Sequence, residues 1–89
     1  MKTYHFIIKG HVQGVGYRIT TYLNATRLGV NGTVKNLPDD SVEVFAQGEE
    51  KIIDNFKKYL KIGPSMSRVD EIQETIEDKS KFESFQVIY

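Results

Sequence analysis

Apolar and polar residues alternate from Thr3 to Lys9, with Tyr4, Phe6 and Ile8 on one side and His5, Ile7 and Lys9 on the other. That two-residue period predicts a half-buried strand, ended by Gly10. From Ile19 the spacing lengthens: Tyr22, Leu23, Ala25 or Thr26, and Leu28 recur at helical intervals, and Gly29 stands where a left-handed C-cap belongs. The stretches GTVKN (32–36) and SVEVFAQG (41–48) are rich in β-formers and flank LPDDS, whose Pro38, Asp39, Asp40 and Ser41 are turn formers. Together they predict a β-hairpin. After Gly48, Ile52, Ile53, Phe56, Tyr59 and Leu60 mark a second helix, acidic early (Glu49, Glu50) and basic late (Lys57, Lys58, Lys61), stopped by Gly63-Pro64. Residues 67–77 carry Val69, Ile72 and Ile76 among charges, the irregular pattern of an edge strand, and Phe85, Val87 and Tyr89 alternate at the close.

The order strand, helix, strand, strand, helix, strand predicts an α+β fold: a ferredoxin-like βαββαβ sandwich, with an antiparallel sheet and both helices on one face. A right-handed β-helix-β crossover makes the first two strands parallel, so the segment 10–17 and Asn36 meet at one sheet edge. With the third strand between them, their ends lie roughly 10 Å apart, a gap that the long side chain of Arg18 spans.

Length changes the picture little: 89 residues suffice for one domain, expected to cover 1–89. Charge excludes more. Twelve Lys and Arg balance twelve Asp and Glu, so no bulk attraction to nucleic acid or to a membrane surface is expected, and any anion site must be local. The chain has no cysteine, hence no disulfide framework and no thiolate metal site, which suits a reducing cytosol. No stretch approaches the ~20 apolar residues that span a bilayer, and the expected location is the cytoplasm.

The densest chemical signal is GHVQGVGYR, residues 10–18. Glycines at 10, 14 and 16 permit backbone dihedrals that turn successive N–H groups inward as an anion nest, and the loop opens into a helix N-terminus with unpaired donors. Arg18 at that entrance offers a planar fork matched to two phosphate oxygens. The bland alternative is a tight turn beside a solvated arginine. Neither common nucleotide motif fits: a Walker loop needs Gly-Lys-Ser/Thr here, and the dinucleotide fingerprint needs glycine where Ile19 stands.

The pattern Gly10-x-Val12-Gln13-Gly14-Val15-x-Tyr17-Arg18 resembles the first signature of acylphosphatases, small enzymes that cleave carboxyl-phosphate anhydrides. Gly32-x-Val34-Lys35-Asn36 is similar to the second signature, and GPSMSRV to the segment after the second helix. The resemblance implies hydrolysis of small acyl phosphates to carboxylate and inorganic phosphate, with no metal and no cofactor, by a chain expected to be monomeric. It implies that the backbone amides of Gly14, Val15, Gly16, Tyr17 and Arg18 cradle the phosphate together with the Arg18 guanidinium, and that Asn36 holds the attacking water. A site without a histidine or carboxylate base suits this chemistry, because a carboxylate leaves without a proton.

Four positions depart from the family pattern. His11 replaces a frequent arginine, Thr33 a frequent tryptophan, Asp40 the usual turn glycine, and Tyr17 the commoner phenylalanine, adding a hydroxyl that needs a partner if buried. His5 reads as a half-exposed sheet residue, and Tyr59, Phe82, Phe85 and Tyr89 as packing residues. Two other readings stay open: an RNA-recognition module, disfavoured by the missing basic excess and a single candidate aromatic, Phe45, and a phosphate-binding regulatory module such as the acylphosphatase-like domain of carbamoyl-transferring maturation proteins.

Overall fold

A computed structural model describes residues 1–89. Strand β1 (Lys2–His11) leads through a glycine-rich loop to helix α1 (Tyr17–Leu28), then come β2 (Asn31–Asn36), β3 (Val42–Gln47), helix α2 (Glu50–Ile62), β4 (Arg68–Asp78) and β5 (Phe85–Ile88). The five strands form one sheet in the order β4-β1-β3-β2-β5. As expected, β3 lies between the parallel strands β1 and β2, and β4 is an edge.

Two expectations need correction. The sheet is mixed, because β5 pairs parallel with β2 (Val34 opposite Val87) and extends the sheet by one strand. Alternation of Phe85 and Val87 identifies a strand and says nothing of its partner or direction. Gly10 also does not end β1. It sits where the register with β4 shifts, and a side chain there would collide with the Arg68 carbonyl. Glycine thus admits a bulge, and the strand continues to His11.

One face of the sheet presents Tyr4, Phe6, Ile8, Val34, Val42, Val44, Ala46 and Phe85 to the helices, and all are buried. From α2, Ile53, Phe56 and Leu60 enter this core, with Phe56 edge-on to Phe85 at 6.2 Å between ring centres. Each such side chain contributes roughly 1.5–3 kcal/mol by leaving water. The α1 stripe differs from the one its apolar residues predict: Tyr17, Thr21 and Ala25 are buried, whereas Ile19, Tyr22 and Leu23 face solvent. Both stripes satisfy a 3.6-residue period, and the small Thr21 and Ala25 allow close approach. On the open face, His5 is half-buried, stacks on Phe45 at 4.4 Å, and meets carboxylate oxygens of Glu43 at 2.9 Å and Glu77 at 3.0 Å.

Candidate active site

Gly14 and Gly16 both adopt left-handed backbone, with φ of +75° and +82°. Gly16 is the N-cap of α1, which starts two residues before the apolar periodicity does. Such a conformation costs a residue with a Cβ about 1–2 kcal/mol, and no clash at either glycine calls for its small size, so φ is the constraint. The α1 terminus receives no side-chain cap and has no acidic residue in its first turn. No side chain of the chain itself therefore caps its first N–H groups or meets its fractional positive charge with an acid.

Arg18 stands in that turn. Its Nη1 donates to the Ile88 carbonyl at 3.3 Å, and its guanidinium lies over the Tyr89 ring, 4.7 Å from the centre. Asn36 ends β2 and reaches the same place across the edge of the sheet. Its Oδ1 is buried and accepts no hydrogen bond from the protein.

Gly14, Gly16, Tyr17, Arg18 and Asn36 thus line one pocket of about 120 Å³, together with Val12, Ile19 and Tyr89. Of the residues expected to form the cradle, only Val15, packed against the core, does not line the pocket. His11 is exposed beside a neighbouring hollow, and Thr33 lies in β2 away from the pocket.

Three supports fix this geometry. Gln13 Nε2 donates to the carbonyls of Leu37 at 2.8 Å and Ser41 at 2.9 Å, stapling the glycine loop to the hairpin turn that follows Asn36. In that turn Asp40 takes φ +73°, the conformation a glycine would accept freely, and the Ser41 hydroxyl and amide hold the Asp39 carboxyl below its ordinary pKa. The Tyr17 hydroxyl donates to the Leu60 carbonyl at 2.7 Å. Helical pairing would give that carbonyl the N–H of residue 64, which is Pro64 and has none, so the tyrosine supplies the missing donor. Burial pushes the Tyr17 phenol well above its usual pKa.

Sequence reasoning missed Gln13, Ile19 and Tyr89 as parts of the site. The alternation of β5 assigns Tyr89 to the core, yet it is 87% exposed. Tyr59, also expected to pack inside, is partly exposed under Arg27. No group of three histidine or carboxylate side chains converges as a metal site.

Fold and pocket define a two-layer α+β domain with a pocket between a glycine loop and a strand end. The sequence model of the acylphosphatase family matches residues 4–87. An acylphosphatase of Lactobacillus gasseri is 47% identical, with both chains fully covered, and one of Caldanaerobacter subterraneus subsp. tengcongensis is 44% identical over 97% of each. The crystal structure of acylphosphatase from Bacillus subtilis superposes with a TM-score of 0.94 at 33% identity over the whole of both chains. The whole chain also matches 12% of a full-length HypF solved in a phosphate- and nucleotide-bound form, with a TM-score of 0.89 and 31% identity. The chain belongs to the acylphosphatase family. It is an enzyme that hydrolyses acyl phosphates, yielding a carboxylate and inorganic phosphate.

Proposed function

We propose that Arg18 and Asn36 carry this hydrolysis, with the amides of Gly14, Val15, Gly16, Tyr17 and Arg18 as the phosphate cradle. The observation that carries the reading is that Arg18 and Asn36, from different elements, line one pocket at an uncapped helix start. The phosphoryl group sits at the loop, where amides and guanidinium neutralise charge on its oxygens as the transition state forms. The Asn36 side-chain amide holds water by hydrogen bonding and aims a lone pair of the water oxygen at phosphorus. The new P–O bond forms in line with the breaking bond to the acyl oxygen, and the carboxylate leaves unprotonated. The water proton passes to a phosphoryl oxygen and departs on inorganic phosphate. No base beyond the substrate is needed.

The domain is proposed to act as a single-domain monomer in the cytoplasm. The single cluster of fifteen buried residues, the balanced charge and the absence of cysteine support this, and no helix is long and apolar enough to cross a membrane.

Benzoyl phosphate hydrolysis in EDTA, followed by absorbance, tests the roles. Arg18→Ala is expected to lower kcat/KM by about 10²–10³ or more and to abolish inhibition by phosphate, because it removes several preorganised donors. Asn36→Ala is expected to remove turnover and to keep inorganic phosphate binding near wild type, measured by calorimetric titration, since Asn36 acts on water. Retained inhibition in Arg18→Ala overturns the role of Arg18.

A further inference from the structure

The pocket lining is of two kinds: Gly14, Gly16, Arg18 and Asn36 are polar or backbone, whereas Val12, Tyr17, Ile19 and Tyr89 are apolar. Val12 and Tyr17 are buried floor, but Ile19 is 51% and Tyr89 87% exposed, so neither is there to fill the core. They come from different elements, the first turn of α1 and the residue after β5, and both rise at the mouth of the same pocket. Arg18 joins them: it precedes Ile19 in the chain, and its guanidinium lies over the Tyr89 ring. Large apolar side chains left in water around a polar pocket mark a surface that a ligand covers.

We propose that Ile19 and Tyr89 form the acyl subsite, and that the enzyme prefers acyl phosphates with an aromatic or branched apolar acyl group. The inference rests on the phosphate lying at the glycine loop and Arg18, because only then does the acyl oxygen leave toward the mouth. No carboxylate or ammonium side chain lines the pocket beside Arg18. An acyl group carrying its own charge would therefore lose water against Ile19 and Tyr89 without gaining a partner, whereas a flat apolar group buries area on both. The Tyr89 ring also holds the guanidinium, so one side chain serves both halves of the substrate.

The test compares kcat/KM for benzoyl phosphate and acetyl phosphate in the wild type, Ile19→Ala, Tyr89→Ala and Leu23→Ala. Leu23 is 60% exposed one helical turn beyond Ile19 and does not line the pocket, so it controls for loss of surface apolarity. Ile19→Ala and Tyr89→Ala are each expected to lower the benzoyl-to-acetyl ratio about tenfold, chiefly through KM for benzoyl phosphate, and Leu23→Ala to leave the ratio unchanged. A ratio unchanged within twofold in both pocket variants overturns the subsite. That holds even if Tyr89→Ala slows both substrates equally, an outcome that assigns Tyr89 to holding Arg18 alone. Failure of the phosphate reading looks different: inorganic phosphate would then inhibit Arg18→Ala as it does the wild type.

Discussion

Helices α1 and α2 differ by one residue in length and lie on the same sheet, yet they follow opposite rules. In α2, Glu50 occupies the first turn and Lys61 the last, both complementing the helix dipole, and one apolar stripe of Ile53, Phe56 and Leu60 goes into the core. In α1, Arg18 occupies the first turn where an acid is favoured, nothing caps the start, and Ile19 and Leu23 face solvent while Thr21 and Ala25 pack inside. A cation at that end costs about 0.3–1 kcal/mol. Where local rules fail together in this way, a functional or strained segment is expected, and a helix that obeys them is expected to be scaffold.

The largest effect that sharpens this contrast comes from α2. Phe56→Ala leaves a cavity under Phe85 and is expected to cost about 3–5 kcal/mol in urea unfolding, with kcat per folded molecule near wild type. A lower kcat in the folded fraction would break the division of labour.

The next effect comes from the staple behind α1. Gln13→Leu removes both donors to Leu37 and Ser41, freeing the hairpin end that carries Asn36 to drift from the glycine loop. Small misplacements of reacting groups are costly, so kcat is expected to fall about ten- to hundredfold. Inhibition by inorganic phosphate, which reads the cradle alone, should hold. Parallel losses in both would show that Gln13 shapes the cradle and not its distance from Asn36.

A third effect tests where the two helices touch. Tyr17, the first residue of α1, completes the last turn of α2 through the Leu60 carbonyl. Tyr17→Phe leaves that carbonyl buried and without a donor, and is expected to cost about 1–3 kcal/mol of stability, measured by thermal unfolding. An unchanged Tm would mean that water reaches the carbonyl and that the helices are independent.

The legibility of the sequence divides along the same line. The extent and main buried stripe of α2 were readable, because periodicity, dipole charges and the Gly63-Pro64 stop agree, and only Tyr59 was assigned to the wrong side. For α1, Arg18 and the glycines were readable by their chemistry, but the helix start and buried face were not: an uncapped start has no cap signature, and Ile19 and Leu23 mimic a core stripe. Crossover handedness put Asn36 beside the loop without help from any contact. What stayed hidden depends on pairing across the chain: the parallel partner of β5, the bulge that Gly10 permits against Arg68, and the place of Tyr89 over Arg18. None of these leaves a periodic trace.

The smallest effect separates the two rules within a single residue. Arg18→Glu puts an acid where the dipole favours one and removes a cation from where it is disfavoured, so α1 gains in both respects. The lost contacts to Ile88 and Tyr89 are at an exposed surface and offset little of this. Stability is therefore expected to rise by about 0.3–1 kcal/mol at low salt, with the gain shrinking as salt screens the dipole. Turnover is expected to vanish, because a carboxylate now faces the anion that the pocket must hold. A stability gain alongside lost activity would place the cost of the site in the charge at position 18. A stability loss would mean instead that Arg18 fastens α1 to β5, and that the first turn of α1 is scaffold as well.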